Sequence, residues 1–210
     1  LSIRRQRQMC IRDRLISALL IYLNPSTVVL ASTDAFQRAQ VGSVGLLKDP
    51  WEILYAPNNK LWITERSKGE VSEVDPQTGA KRKLLKIEEV YPFIGQAGLP
   101  GMDYHPNLGK GLDEDWVYLT YTYQSGGIPF QRLVRYRYES LNGLRQFVDP
   151  KILLENLPSS NDHISGRLKV GPDKKIYLTI GDMGANQFGN KCKPIESQRI
   201  PKTEEIQQED

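Results

Sequence analysis

His163 is one of only two histidines in the chain, and it follows Asp162 in a polar segment. That segment runs from Asn156 to Gln187 as NLPSSNDHISGRLKVGPDKKIYLTIGDMGANQ. An imidazole titrates near neutral pH and can accept a proton as a general base. Asp162 beside it could orient the ring or hold the positive charge that forms. In an extended segment adjacent side chains point apart, so adjacency alone does not couple them. A structural or merely exposed histidine is the competing reading. Gln96 sits in Gly95-Gln96-Ala97-Gly98-Leu99, where flanking glycines let backbone approach a ligand closely and an amide can both donate and accept. An ordinary connecting loop is the alternative there.

Other polar residues read as structural. His105 precedes Pro106 at a turn entry, in extended geometry, where its ring caps backbone. Asp182 opens the loop Gly181–Asn190 and reads as a carboxylate bonded to turn backbone. That loop lacks the Gly-Lys-Ser/Thr of a phosphate loop. Asp113-Glu114-Asp115 lacks the alternate ligand spacing of a calcium loop and reads as a solvated turn. No metal-ligand spacing is present.

The elements that must position these residues recur along the chain. Residues 55–64 read YAPNNKLWIT and residues 170–179 read VGPDKKIYLT. A looser copy is YHPN at 104–107, followed after an insertion by WVYLT at 116–120. The marker prolines Pro57, Pro106 and Pro172 are 49 and 66 positions apart. Each ends one strand and begins a turn, with Asn or Asp next because its side chain bonds local backbone. An aromatic-rich strand of period-2 character follows. Further strands are expected over Leu61–Glu65, Val71–Val74 and Leu84–Ile87, then Trp116–Tyr123, Leu133–Tyr138 and Ile152–Glu155. Helical periodicity is weak over residues 50–180. Four antiparallel strands per ~40–50 residues predict an all-β propeller, of which about two and a half blades are present, ending near Ile180. The tyrosines and Trp116 read as core and inter-blade packing. A propeller closes with at least about four blades, so the chain is expected to be the N-terminal part of a longer protein.

Charge and the chain's beginning bound the rest. The net charge is +3, but five arginines and one aspartate in residues 1–14 contribute +4 and leave −1 on the remainder. That near-neutral remainder carries no electrostatic footprint for nucleic acid. Residues 1–14, LSIRRQRQMCIRDR, have no helix or strand period and resemble translated adaptor sequence more than protein. The alternative is the basic n-region of a signal peptide. The apolar run LISALLIYL is too short to span a membrane. Residues 15–31 read as a signal peptide with small-residue cleavage after Ala31, which predicts a periplasmic or secreted protein with no membrane span once mature. Residues 32–210 are then the propeller domain. Cys10 lies in the foreign-looking stretch, so Cys192 is expected to find a partner outside this chain segment.

Two segments in order, Gly95–Asn107 (GQAGLPGMDYHPN) and the His163 segment, closely resemble the soluble pyrroloquinoline-quinone-dependent glucose and aldose sugar dehydrogenases, the glucose/sorbosone dehydrogenase family. The resemblance runs from about Pro50 to Asp210 and would cover less than half of a full-length member. It implies a six-bladed propeller. Asp162-His163-x-Ser165-Gly166-Arg167 matches the family's catalytic loop position by position, which makes His163, beside Asp162, the base that removes the sugar's hydroxyl proton. It places Gln96 in the cofactor and substrate region, where its amide suits a sugar hydroxyl or a quinone oxygen. Gln187 and Phe188 match positions that border the sugar, and His105 matches a structural histidine. Ala97, Pro100 and Asp103 depart from the family pattern, which bears on the shape of the sugar pocket. The implied cofactors are pyrroloquinoline quinone (PQQ) and calcium. The calcium ligands and the cationic cofactor-binding residues are expected in later blades, so this stretch alone should bind cofactor weakly or not at all. The implied reaction turns an aldose into a lactone and passes electrons to an external acceptor. A propeller that lost its redox site and acts as a binding module is one alternative. A calcium-dependent propeller lactonase is the other.

Overall fold

The computed structural model describes residues 39–91 and 95–184. The expectations for residues 1–31, Gln187, Phe188 and Cys192 fall outside these. Among the described residues ten antiparallel strands build three sheets. The first joins β1 (Pro50–Tyr55), β2 (Leu61–Glu65), β3 (Glu70–Val74) and β4 (Lys81–Lys86) in sequence order. The second repeats that order with β5 (Gly101–Tyr104), β6 (Trp116–Ser125), β7 (Ile128–Leu141) and β8 (Leu144–Pro158). β9 (Ser165–Val170) and β10 (Ile176–Ile180) form a two-stranded third sheet. The first strands lie side by side, β1 against β5 and β5 against β9, while β4 meets β8. This is the meander of two propeller blades and half of a third, with first strands innermost. No helix among the described residues is long and apolar enough to cross a membrane.

The three marker prolines occupy equivalent turns, and the backbone hydrogen bonds show it residue for residue. Ala56 N–H donates to Lys60 O and Asn59 N–H donates back to Ala56 O, both at 2.9 Å. Gly171 and Lys175, then Lys174 and Gly171, repeat both bonds at 2.9 Å. His105 N–H to Trp116 O and Leu108 N–H to His105 O repeat them in the second blade, again at 2.9 Å. Residues 109–115 are therefore an insertion into one copy of the same turn. Asn59 and Lys174 hold the same left-handed position, φ 59 and 63. Asn58 Oδ1 and Asp173 Oδ1 each accept the amide two residues on, the local bonding that favours Asn and Asp after these prolines. His105 caps as expected: its buried ring Nδ1 accepts the Asn107 amide at 3.3 Å.

The second blade is longer than the residue pattern suggests. β7 and β8 run well past Tyr138 and begin well before Ile152, because Asn142-Gly143 makes a two-residue turn with Leu141 opposite Leu144. Both turn residues have positive φ, 53 and 81, the conformation whose twist matches a tight hairpin. Gly126-Gly127 does the same between β6 and β7.

The main core lies between the first two blades. Trp62 is fully buried and meets Tyr138 and Phe147 edge-on at 4.7 and 5.0 Å. Each such aromatic pair contributes about 0.5–1.5 kcal/mol beyond its buried area. Its indole N–H donates to Glu73 at 3.1 Å, so no donor is stranded. Tyr118, Leu133 and Leu168 form a second cluster between blades two and three. Trp116 packs against it and carries the guanidinium groups of Arg135 and Arg137 over its ring. The acidic turn is occupied by protein partners. Asp113 pairs with Arg137, Glu114 accepts from Asn107, and Asp115 accepts the Gly109 amide.

Glu65 fastens the start of blade one. Its carboxylate is fully buried and accepts from Lys81 Nζ at 2.5 Å, Ser72 Oγ at 2.6 Å and the Lys48 amide at 2.7 Å. Burial pushes this carboxyl up, but the bonds from Lys81, Ser72 and Lys48 outweigh it and hold it at about 2. Its folded pKa thus lies below the ordinary 4.5. The stability it contributes is present above 4.5 and is lost as pH falls toward 2. Glu65→Gln should cost about 2–3 kcal/mol at pH 7. In urea unfolding at pH 7 and pH 3, the variant should lose less stability on acidification than the wild type. Equal losses would remove Glu65 as the source of that acid sensitivity.

Candidate active site

The innermost strands begin at one end of the propeller, and of the sequence-predicted site residues Gln96, Asp162 and His163 gather there, while Gln187 and Phe188 lie outside the described residues. Residues 95–100 lead into β5, residues 159–164 lead into β9, and residues 181–184 leave β10 at the same end. Backbone bonds join the three segments. Gln96 N–H donates to Asn161 O at 3.0 Å, Gly181 N–H to Ile164 O at 3.0 Å, and Met183 N–H to His163 O at 3.2 Å. Two glycines make these approaches possible. A Cβ on Gly95 would stand 2.1 Å from Asn161 O, and one on Gly181 would stand 1.7 Å from His163 O. Beneath the loops, Ala97, Ile164 and Met183 form a small buried apolar cluster.

His163 is not extended: its φ is 45, and that of Ser165 is 57. The left-handed turn explains why Asp162 and His163 do not diverge as neighbours in a strand would. His163 Nε2 lies 3.9 Å from Asp162 Oδ1. That distance is too long for a hydrogen bond. Asp162 Oδ1 instead accepts from the Gln96 side-chain amide at 3.2 Å and from the His163 backbone N–H at 3.0 Å. Gln96 and His163, 67 positions apart in sequence, thus meet through one carboxylate oxygen. Gln131, buried on β7, donates to Ile164 O at 2.9 Å and Pro158 O at 3.4 Å, holding both ends of the His163 loop.

The ring of His163 bonds Asp182, with Nδ1 to Oδ1 at 2.9 Å. The sequence left the Asp162–His163 coupling open and read Asp182 as bonded to turn backbone; the ring partner is Asp182, not Asp162. Asp182 serves both, since the same oxygen accepts Gly184 N–H at 3.0 Å. The bond from His163 holds the Asp182 carboxyl below the ordinary carboxylate range. A carboxylate can only accept, so Nδ1 carries the proton in this contact, and in the neutral ring Nε2 is the acceptor. The hairpin register alone would not have revealed the pair, because it shifts between Leu178 and Ile180. After that shift Ile180 lies opposite Ser165, and continuing two residues outward brings Asp182 opposite His163. The side chains of His163, Asp162 and Asp182 are 37%, 34% and 43% exposed, so the cluster is open to a ligand.

The three departures from the family pattern do not line this cluster. Ala97 is fully buried. Pro100 is buried against Gly166, where a Cβ would come within 2.5 Å of its ring. Asp103 accepts Val170 N–H at 2.8 Å and faces Lys169 at 3.6 Å, at the far end of β9.

A β-propeller with a histidine–carboxylate pair at one mouth is the class of protein these features define. The sequence model of the Glucose / Sorbosone dehydrogenase family matches residues 47–200, and the chain belongs to that family. It is 34% identical over 194 residues to quinoprotein glucose dehydrogenase B of Acinetobacter calcoaceticus, covering 90% of this chain and 39% of that protein. Among solved structures it is similar to the PQQ-bound form of an aldose sugar dehydrogenase from Streptomyces coelicolor. The TM-score is 0.59 and the identity 28%, over 70% of this chain and 41% of that one. A glucose dehydrogenase crystal structure shares the fold, with a TM-score of 0.56 at 23% identity, over 65% and 39% of the two chains. The chain thus spans about two fifths of the length of these relatives.

Gly95→Ala and Gly181→Ala should each displace the Asn161–His163 backbone, because no side chain that could move aside stands in the way. Gly111→Ala, where a Cβ meets nothing within 4 Å, should cost only the roughly 1 kcal/mol of its left-handed backbone. Amide exchange would separate them. Gln96 and Gly181 should lose protection in the first two variants and keep it in the third.

Proposed function

We propose that the complete protein is a PQQ-dependent dehydrogenase that oxidises aldose sugars to lactones, with His163 as the general base. The observation that carries this reading is the Asp182–His163 pair, which leaves Nε2 as a proton acceptor at an open polar mouth. The residues fit an oxygen-rich substrate and a quinone on the side they present. Gln96, Asp162 and His163 offer donors and acceptors for hydroxyl and carbonyl oxygens. When bound, the quinone supplies the two-electron acceptor that takes up hydride from the sugar's C1. His163 Nε2 takes the proton of the anomeric hydroxyl, so the sugar loses one hydride and one proton and becomes the lactone. Asp182 holds the ring in the tautomer this needs and stabilises the imidazolium that forms. Asp162 holds Gln96 and the His163 backbone in register.

Gln187 and Phe188 belong to the same proposal as walls of the sugar site. Among the described residues no group of three or more His, Cys, Asp or Glu stands together as metal ligands. The reading therefore leaves calcium to ligands outside them. It also includes an external electron acceptor and a periplasmic or secreted location, the latter supported by the apolar run over residues 15–23.

The test is sugar oxidation with added PQQ, calcium and a dye acceptor, normalised to folded protein. His163→Gln should cut turnover about 10²–10⁴-fold, the contribution of a positioned base, while leaving folding and quinone binding nearly intact. Asp182→Asn should cost at least about tenfold, since an amide can donate as well as accept and no longer dictates the ring tautomer. Near wild-type turnover in His163→Gln would return the residue to a loop-structuring role.

A further inference from the structure

Arg66 follows β2 in a single 3-10 turn, Arg66–Lys68, at the same end of the propeller as the site. Its guanidinium reaches into the next blade. Nη1 donates to Gly95 O at 2.6 Å and to Ala97 O at 2.7 Å, the two carbonyls that flank Gln96. Its backbone adds a third tie, since Arg66 O accepts Leu99 N–H at 3.1 Å. Gly98 lies so close to that carbonyl that a Cβ would stand 2.4 Å away. Arg66 is itself held, with its N–H on Asp49 O at 3.0 Å and its guanidinium 5.0 Å from the centre of the Trp51 ring. Its Nε is buried without a hydrogen-bond partner, so the Nη1 contacts set the direction of the group.

We propose that Arg66 is a positioning residue for the active site. By gripping the carbonyls on either side of Gln96, it holds that residue against Asp162 and, through Asp162, keeps the His163 backbone in place. The chain of contacts crosses three blades: Arg66 to Gly95 and Ala97, Gln96 to Asn161 and Asp162, and Asp162 to His163. Holding two carbonyls at once needs two N–H bonds diverging from one planar nitrogen. A guanidinium provides that geometry in a fixed plane, whereas a lysine ammonium is a compact point charge on a flexible stem. Loss of the grip leaves the two carbonyls flanking Gln96 without their Arg66 donor, while the Leu99 tie to the Arg66 backbone remains.

The activity arm of the test rests on the dehydrogenase reading, and a second arm does not. Arg66→Met keeps the stem over Trp51 and removes the donors, and Arg66→Lys keeps the charge and guards against a variant that fails to fold. In the complete protein, hydrogen exchange at the Gln96 amide should accelerate at least about tenfold in Arg66→Met. It should accelerate less in Arg66→Lys, with the amides of β6 and β7 unchanged. Sugar oxidation per folded molecule should fall about 10–100-fold, as expected for loosened positioning. That loss should shrink to less than about threefold in a Gln96→Ala background, because residues acting through one another are non-additive. Unchanged exchange at Gln96, or losses that multiply independently of Gln96, would overturn the proposal. If the wild-type protein oxidises no sugar with PQQ, the dehydrogenase reading fails and the exchange result alone decides the role of Arg66.

Discussion

The close approach of the loop entering β5 to the loop entering β9 is the constraint on which the site depends. Gln96 N–H bonds Asn161 O, and Gly95 has no room for a side chain against that same carbonyl. Blade-to-blade contact through apolar faces is non-directional. It brings two blades together but leaves sliding and tilting undetermined at the precision a hydrogen bond needs. A backbone bond with a glycine beside it removes that freedom, because neither partner has a flexible side chain to absorb displacement. Gly181 repeats the device against His163 O. The site is thus built at backbone contacts, where geometry is stiffest.

Two carboxylates divide the work around His163. Asp162 and Asp182 are 34% and 43% exposed, and both reach the histidine. Asp182 bonds the ring, and Asp162 bonds the backbone amide. The division follows from the left-handed turn at His163. That turn throws the imidazole toward the strand-exit loop of β10 and leaves Asp162 facing Gln96. A non-glycine residue in this conformation costs about 1–2 kcal/mol. The surrounding bonds, from Gln131 to Ile164 O and from Ser160 to Asp162, hold the loop in place. Strain of this kind clusters at functional sites because only a well-supported frame can maintain it.

Buried charge in blade one follows a related logic away from the site. Glu65 is enclosed with its three strongest partners drawn from the β1-entry segment, β3 and β4. A carboxylate in that position is costly unless every lone pair is met. Meeting them requires those segments to be in register, so the interaction favours one arrangement of the blade over near alternatives. Arg66, the next residue, carries that order toward the second blade.

Much of the architecture is legible in the residues because it is local. Pro57, Pro106 and Pro172 mark equivalent turns since a proline followed by Asn or Asp constrains its own backbone, wherever the turn sits. The expected period-two alternation of the strands after them appears only in β10, because β2 and β6 are buried on both faces between neighbouring blades. The lengths of β7 and β8 were not read from the residues, although Asn142-Gly143 is the tight-turn signal that sets them. His163 and Gln96 stood out by residue type and glycine context, and the family motif tied them together. The partner of the His163 ring was not legible by adjacency, because Asp162 is nearer in sequence and Asp182 is nearer in space. Nor did the residues around Arg66 mark it, since its partners are backbone carbonyls, which every residue has. Sequence by itself determines turns, the existence of the strands and the supply of titratable groups, because these depend on neighbours along the chain. Only the tertiary structure decides which carboxylate meets the ring and which guanidinium grips the loop, because those contacts depend on how three blades lie against one another.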